Sequence, residues 1–542
     1  MTNKYAPISG SIEESDVNPV AAAIREIREE TQLVADQDVV LEFSGKPYSF
    51  EDQQAQRSWT IHPFGWILKV DESKIKIDWE HSDWQWFDPE KILDGSMDDD
   101  SVPKLGESLR RVYFGPHGMF SGGNPIVRRD NSAGRAFLET LEDLRTDTTN
   151  GARILATNAV KGMQRVAQCF EESSTDGSRS AQYWYSLKVA AYQFIHSARP
   201  SMSSAIAAAV LDAVNRVAQT LSDGRLDLET TYKTLEICIC QRADTTNKVA
   251  AAFKRYIDSM SLSSDEGDEL NIITLSSSST IAAAITYLLG STDTSVSVLK
   301  VTILESRPQC EGATLASSIL SSLDLMNKKS KPQLTISIVP DTHISLVVRN
   351  LMTSTSKKPV LILLGADQIT PLSHVSNKTG STNLAILAKT FAPKQTQVII
   401  LSEEDKIAEP NSSLLSEYER LVHPSTDHNG NDTLVSTLSK NELNAQSPER
   451  HDAKEVFAAW PQQARDNLSW FLYDNMKRSK TGEEDAEGNR VSVHVNNVYF
   501  ELVPREYIDV FISEKGRIGR DDILRRSIER AKLGVETFKD LY

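Results

Sequence analysis

From Leu270 onward, short apolar and β-branched runs alternate with helical stretches, and no other feature of the chain constrains the fold as strongly. The runs are Leu270–Leu275, Val296–Leu304, Leu334–Val339, Val360–Leu364 and Val398–Leu401. Near-continuous apolar strands are buried on both faces, so the pattern calls for βαβ units and a mostly parallel sheet covered by helices on each side. Sheets of this kind bind ligands beyond the carboxyl ends of their strands. Ser276-Ser277-Ser278-Ser279-Thr280 follows the first run, and Glu305-Ser306-Arg307-Pro308 with Glu311-Gly312 follows the second. Gly365-Ala366-Asp367 follows the fourth, and Asn377-Lys378-Thr379-Gly380 precedes a helix at Asn383–Thr390. A strand, a hydroxyl-rich turn and a helix start together form a phosphate cradle of backbone amides, helix dipole and Ser donors. N-capping alone is the plainer reading of the same serines, and turn capping is the plainer reading of Asp367.

Upstream, residues 132–265 read as consecutive helices, with Leu138, Leu141 and Leu144 at helical spacing and an Ala-rich run at Ser204–Val214. A polar spacer, Ser261–Asp268, separates them from the alternating region. Asn411–Glu449 reads as an insertion or mobile loop and Thr481–Asn489 as a polar break. The first 115 residues hold five of the eight tryptophans, one helix and strand-like pieces at Val39–Phe43, Trp59–Val70 and Lys74–Asp78. The expected division is 1–115, a linker at 116–131, a helical domain at 132–265 and an α/β domain at 266–542. A chain of 542 residues suits three or so domains of about 150 residues each.

With 59 basic against 75 acidic residues and a net charge of -16, non-specific binding to nucleic acid or anionic membrane is disfavoured. No direct nucleic-acid partner and no membrane partner are expected. No apolar run approaches the roughly 20 residues of a bilayer span, and MTNKYAPISGSIEES lacks the apolar core of a signal peptide, so a cytoplasmic location is expected. Cys169, Cys238, Cys240 and Cys310 are too few for a disulfide framework, and Cys238 and Cys240 diverge on a helix, so free thiols are expected.

Asn18-Pro19 is a strong helix start, and Ala21–Glu30 continues without a breaker. Glu26, Glu29 and Glu30, at i, i+3 and i+4, gather three carboxylates within about 100° of the helix. A hard divalent cation would relieve their mutual repulsion; a solvated acidic face paired with Arg25 and Arg28 is the simpler account. The wider pattern, Gly10-Ser11-Ile12-Glu13-Glu14-Ser15-Asp16 followed by Arg25-Glu26-Ile27-Arg28-Glu29-Glu30-Thr31-Gln32-Leu33, resembles the Nudix box. Glu80-His81-Ser82-Asp83-Trp84-Gln85-Trp86-Phe87 is similar to the acidic-aromatic strand that often closes such domains. The resemblance implies Glu26, Glu29, Glu30 and the Gly10 carbonyl as ligands of Mg²⁺ or Mn²⁺. It further implies Glu26 and Glu29 as catalytic groups, Arg25 as their orienting partner, and water attack on a nucleoside diphosphate-linked substrate. Asp16 replaces the usual Glu, the spacer to Arg25 is one residue longer, and Gln32 stands in place of glycine. Nine residues precede Gly10 where such domains place two or three strands, so a domain short of its first strands is expected.

The ordered set at 270–382, with Val495–Pro504 and Tyr507-Ile508, resembles the alpha/beta/delta subunits of translation initiation factor 2B and the methylthioribose-1-phosphate isomerase superfamily. The resemblance covers about 132–542. With the Nudix resemblance and the periodicity above, a multidomain chain is expected: an N-terminal α+β Nudix-like domain, an all-α helical domain and a C-terminal α/β Rossmann-like parallel sheet. The 2B resemblance also implies a phosphorylated small molecule, a nucleotide or sugar phosphate, held by Ser276, Ser277, Ser278, Arg307, Asp367, Asn377 and Lys378. Homo- or hetero-oligomers through the C-terminal domain follow from the same resemblance. The isomerases pair a cysteine with the Asp of Gly-Ala-Asp; here Asp367 is present but Ser276 takes the cysteine's place. Their Arg-Gly-Ala phosphate clamp corresponds to Asn150-Gly151-Ala152, with Arg153 displaced. These changes favour a regulatory, ligand-sensing role over isomerase activity. An active Nudix hydrolase with an accessory 2B-like module is the main alternative, and a sugar-phosphate isomerase the third.

Overall fold

The computed structural model describes residues 4–13, 15–52, 56–121, 126–147, 149–171, 180–221, 225–260, 269–324, 332–353, 360–411, 414–422, 428–444, 449, 451–468, 493 and 495–542. The expected spacer at 261–268 and polar break at 481–489 lie outside them. The chain divides into two compact units. One is Met1–Ile239 with Trp470–Val493 and Leu533–Tyr542; the other is Cys240–Ser469 with His494–Lys532.

In the first unit, α1 (Pro19–Thr31) begins where Asn18 caps the Ala21 amide. It ends at Gln32, whose φ of 57° is left-handed and whose N–H donates to the Arg28 carbonyl. β1 (Val39–Ser44) pairs antiparallel with β4 (Phe64–Leu68), and β2 (Tyr48–Asp52) pairs antiparallel with β3 (Arg57–Ile61). Ile27, Leu33 and Val39 form a small core under Trp66, Leu68, Val70 and Ile75, which fixes α1 on its strands. The piece expected at Trp59–Val70 is two strands, interrupted at His62-Pro63. Lys74–Asp78 and Glu80–Phe87, expected as strands, form none: a 3₁₀ turn at Glu72–Lys74 leads into irregular chain. The amides of Lys76 and Asp78 donate instead to the Thr31 and Glu30 carbonyls, two of the acceptors that a helix end leaves without intrahelical partners.

Two short helices, α2 (Pro89–Leu93) and α3 (Leu105–Arg110), lead to a ring cluster of Phe43, Phe114, Phe120, Phe137 and Phe194. Within 116–131, Met119, Phe120, Ile126 and Val127 are buried. Then come α4 (Ser132–Thr146), α5 (Ala152–Glu171), α6 (Ser180–His196), α7 (Ser203–Ala218) and α8 (Leu228–Ala243). β1 is tied to these helices by polar bonds: Ser44 N donates to Ser197 Oγ at 2.8 Å, and Gln193 Nε2 to Ser44 O at 3.2 Å.

The second unit opens with α9 (Thr245–Ser259) and is built on a seven-stranded sheet. Its elements are β5 (Glu269–Leu275), α10 (Ser279–Gly290), β6 (Val298–Leu304), α11 (Glu311–Asp324), β7 (Gln333–Val339), α12 (Ile344–Thr353) and β8 (Val360–Leu364). A short antiparallel sheet of β9 (Gln368–Ile369), β10 (Val375–Lys378) and β12 (Phe500–Val503) stands beside it, with α13 (Ser381–Phe391) after β10. β11 (Thr396–Leu401), β13 (Val510–Ser513) and β14 (Gly516–Ile518) complete the large sheet, in the order β14-β13-β11-β8-β5-β6-β7. Every pairing in it is parallel except β13 with β14.

β8 shows why its sequence is apolar throughout. Leu361 and Leu363 enter the core under α9, α10 and α11, while Ile362 and Leu364 enter the opposite core with Val348 and Leu384. Alternate side chains of a strand point to opposite faces, so a strand covered on both has no polar position to spare. Asn411–Glu449, expected as an insertion or mobile loop, contains two helices, α14 (Leu415–Val422) and α15 (His428–Asn444). They are docked because Tyr418 and Leu438 bury themselves with Leu372, Leu524 and Ile528. A further helix, α16 (Ala453–Phe457), follows. Among the described residues no helix is long and apolar enough to cross a membrane. The four cysteines form no disulfide.

Candidate functional site

Each unit holds one cluster of the residues singled out above. On α1, the Arg25 guanidinium is the hub. It donates to Asp16 at 2.9 Å, to Glu26 Oε1 at 2.7 Å, to Glu29 Oε2 at 3.1 Å and to the Ser11 carbonyl at 2.8 Å. Asp16, shorter than the Glu it replaces, still anchors the guanidinium, and its bond from Arg25 holds its carboxyl below the usual range. Gly10 lies against Glu26: a Cβ built on it would sit 1.8 Å from Glu26 Oε1, so only glycine lets that carboxylate come so close to the backbone. Glu30 turns inward. It is buried, accepts from the Ser9 amide at 3.3 Å and lies 3.6 Å from His81 Nε2. Burial raises its pKa above the ordinary carboxylate value, the state of an acid short of positive charge. His81 is in turn held by Asp78 at 2.9 Å, which raises the imidazole pKa.

The donors fit a hard divalent cation by chemistry: three carboxylates and a backbone carbonyl, with the Glu26 carboxylate lying in the space that a side chain at Gly10 would fill. Among the described residues, no three acidic, His or Cys side chains converge as a ready-made cation cage. Glu26 and Glu29 are drawn to Arg25, and Glu30 to Ser9 and His81.

At the carboxyl edge of the large sheet the centre is Glu311, at the start of α11. It accepts from Ser276 Oγ at 2.6 Å and from Lys378 Nζ at 3.0 Å. Lys378, buried, also lies over the Tyr499 ring, 3.6 Å from its centroid. His451 stacks on the same ring at 3.4 Å and 7°. Neither leaves space for the other, so Lys378 and His451 take opposite faces. The Tyr499 hydroxyl donates to Glu455 at 2.5 Å and accepts from Gln309 Nε2 at 3.1 Å; burial, then that carboxylate, pushes its pKa up to about 12.

Ser276 (φ 64°), Ser306 (φ 60°) and Cys310 (φ 55°) are all left-handed. The first two are locked together, Ser276 N donating to Ser306 Oγ at 2.7 Å. Asp341 accepts from the amides of Ser306 and Arg307, both at 2.8 Å. Ser278 caps α10. Asn377 is buried and donates to Ser381 Oγ at 3.0 Å, and a Cβ at Gly365 would lie 3.1 Å from Ser278 Oγ and 3.8 Å from Asn377 Oδ1. Ser276, Ser278, Asn377 and Lys378 are thus brought to one edge. Ser277 is exposed, Arg307 points its side chain to solvent while its amide is used, and Asp367 is fixed through its amide to the Ser376 carbonyl at 2.9 Å. Sequence reasoning noted Glu311 and Tyr499 only as landmarks, and did not single out Gln309, His451 or Glu455.

Comparisons with known proteins give two family matches. The model of the Initiation factor 2 subunit family matches residues 148–519, and that of the NUDIX domain matches residues 2–110. No curated protein matches the chain. Among solved structures, translation initiation factor eIF-2B of Pyrococcus horikoshii OT3 is 18% identical, covering 72% of this chain and 98% of that one, with a TM-score of 0.41. eIF2B beta of Chaetomium thermophilum is 11% identical over 74% and 93%, with a TM-score of 0.40. 5-Methylthioribose 1-phosphate isomerase of P. horikoshii OT3 is 15% identical over 72% and 87%, with a TM-score of 0.41. The family match spans more than half of the chain: the protein belongs to the Initiation factor 2 subunit family and carries a Nudix domain ahead of that region.

Proposed function

We propose that the chain is a regulatory protein of the initiation-factor-2B-subunit type, which binds a phosphorylated metabolite or nucleotide at the carboxyl edge of its sheet. Its Nudix part, in this reading, is a Mg²⁺-dependent pyrophosphatase module for nucleoside diphosphate-linked substrates. The division into 1–115, 116–131, 132–265 and 266–542 belongs to the same reading. One observation carries it: the Glu311 carboxylate is gripped by the Ser276 hydroxyl and the Lys378 ammonium. A serine donor and a lysine ammonium at a strand end and helix start are what a phosphoryl group would meet. Ser276 in place of the isomerases' cysteine leaves no thiolate there, which favours binding over aldose–ketose conversion. Calorimetric titration with a panel of sugar phosphates and nucleotides tests this. Wild type should bind a member of the panel and Lys378→Ala should lose at least tenfold in affinity; no binding across the panel, or equal binding by the variant, removes the reading.

The hydrolase module rests on the α1 cluster. Glu26, Glu29, Glu30 and the Gly10 carbonyl would hold Mg²⁺ or Mn²⁺, which when bound polarises phosphoryl oxygens and acidifies water. Arg25, anchored by Asp16, orients Glu26 and Glu29 by pairing one oxygen of each. Phosphate release from nucleoside diphosphate derivatives should need Mg²⁺ and fall about 100-fold or more in Glu29→Gln; equal turnover in both proteins sinks the hydrolase.

A further inference from the structure

A buried ammonium needs an anion beside it, and Lys378 takes one from its own chain. Its side chain is only 5% exposed, and the Tyr499 ring closes one face of the ammonium, 3.6 Å from Nζ to the centroid. Its ion pair is with Glu311 Oε1 at 3.0 Å. The other oxygen of that carboxylate, Oε2, accepts from Ser276 Oγ at 2.6 Å. Glu311 therefore spans both donors, as two oxygens of one phosphoryl group would. The three groups differ in how they are held. Ser276 is fixed through its backbone, with a left-handed φ of 64° and an amide bonded to Ser306 Oγ at 2.7 Å. Lys378 lies on β10 opposite Phe500 of β12, under a ring anchored through its hydroxyl by Glu455 and Gln309. The backbone beside Glu311 is fixed as well. A Cβ at Gly312 would lie 2.0 Å from the Leu304 carbonyl oxygen, so the start of α11 sits hard against the end of β6. The Glu311 side chain, by contrast, is 27% exposed. Rotation about its own bonds, with no movement of α11, carries the carboxylate into water.

We propose that Glu311 is a built-in plug: its carboxylate holds the phosphoryl place between Ser276 and Lys378, and a phosphomonoester binds by expelling it. The inference rests on the ligand-binding reading of this edge and adds how the edge is regulated and what its ligand must carry. A neutral sugar or nucleoside cannot take the carboxylate's place, because it would leave Lys378 buried without a counter-ion. A phosphodiester or a carboxylate exchanges one negative charge for another. A phosphomonoester brings a charge of about −1.5 to −2 at pH 7 and three acceptor oxygens, which replace both contacts of Glu311 and leave an oxygen over. The cost of moving Glu311 falls on every ligand alike. The plug therefore weakens all apparent affinities by one common factor, the reciprocal of the fraction of time the place stands open.

The test titrates the full chain calorimetrically with inorganic phosphate, ribose 5-phosphate and AMP, and with ribose and adenosine as their uncharged counterparts. Divalent cations are left out, so that the α1 carboxylates repel the same probes. Glu311→Gln keeps the size and an acceptor oxygen but gives up the charge. It should tighten all three phosphates by a common factor of about 10 or more, while ribose and adenosine bind neither protein. Glu311→Asp, with its charge one methylene shorter and unable to span both donors, should fall between; if Glu311→Gln does not fold, this variant carries the comparison. Equal or weaker phosphate binding by Glu311→Gln, where wild type binds and Lys378→Ala does not, overturns the plug and leaves the ligand site standing. A gain confined to one phosphate makes Glu311 a contact to that ligand and also overturns the plug. A gain that persists when Lys378→Ala is added puts the phosphate elsewhere and overturns both readings. No phosphate binding by wild type or by either Glu311 variant overturns both as well.

Discussion

At the residue scale, two positions in the α1 motif show how a departure from a pattern is absorbed. Asp16 is shorter than the Glu it replaces, yet it reaches Arg25 through both carboxylate oxygens. Gln32 stands at a left-handed helix end, where glycine is favoured because a Cβ crowds the backbone there. Gln32→Gly should leave thermal stability unchanged or raise it by up to about 1 kcal/mol, since relief of the Cβ clash is partly offset by a more disordered unfolded chain. Gln32→Val should cost more than about 1 kcal/mol, because branching at Cβ worsens that clash; a melting curve for each variant checks both. Gly10→Ala is the sharper probe of the acidic helix. Its methyl would displace the Glu26 carboxylate, so metal-dependent turnover should drop at least tenfold while α1 and its core remain folded by circular dichroism.

At the element scale, one acid whose carboxylate is largely covered adds polar anchors to the apolar docking of the α14–α15 pair. Glu442 accepts from Tyr418 OH at 2.8 Å, from the Leu372 amide at 3.2 Å and from Thr370 Oγ1. Burial pushes its pKa from 4.5 up to about 7. His374, 3.9 Å away, has its own pKa pushed by burial from 6.5 down to about 4, with Arg505 and Arg520 lowering it further and Glu506 opposing them. The two titrations act in opposite directions. Glu442 favours docking of the pair below about pH 4.5, and that contribution fades as pH rises through 7; His374 favours it above about pH 6.5, and that contribution fades as pH falls toward 4. Wild type should therefore show a shallow dependence between pH 4.5 and 6.5. Glu442→Gln, left with His374 alone, should lose on the order of 2–3 kcal/mol of docking free energy across that interval. Hydrogen exchange of α15, corrected for intrinsic rates, reads the difference; parallel profiles in the two proteins would refute the opposition.

The elements also show what the sequence disclosed and what it withheld. The β-rich runs of the second unit were legible almost to the residue, because strands covered on both faces leave a continuous apolar signature: Val360–Leu364 is β8 itself. Residues 411–449 were not, because α14 and α15 are polar except for the few side chains, Tyr418 and Leu438 among them, that find Leu372, Leu524 and Ile528 from distant parts of the chain. The stretch after Lys74 was misread for a related reason. Its aromatic composition suits a strand, but its amides are taken by the end of α1. At the candidate sites, the residues within motifs were visible and their partners were not. Gln309, Tyr499, His451 and Glu455 meet across up to 190 residues of sequence, and no local pattern announces such a meeting.

At the scale of the whole molecule, the large sheet ends on β7, one side of which pairs with no other described strand. Ile338 on it, Leu320 on α11 and Leu346 on α12 are exposed. A sheet edge with exposed apolar neighbours is a pairing surface unless something blunts it. The oligomers that the family resemblance implies would form at a surface of this kind. Light scattering should find wild type as an oligomer at micromolar concentration, and Ile338→Lys with Leu346→Lys should shift it toward monomer without altering its far-ultraviolet spectrum. A monomeric wild type would remove that part of the reading.

The left-handed serines at 276 and 306 have a consequence for engineering and for evolution. A non-glycine residue in that conformation holds backbone strain of about 1–3 kcal/mol, and here two such residues are bonded to each other at the carboxyl edge of the sheet, the edge of the proposed ligand site. Substituting glycine at either would release the strain and remove a hydroxyl from the grip on Glu311 or on the Ser276 amide. Selection for heat resistance and selection for ligand affinity should therefore pull these two positions in opposite directions. A library scored for both properties should place them on the trade-off front, with every thermostable clone that carries Ser276→Gly or Ser306→Gly among the weaker binders.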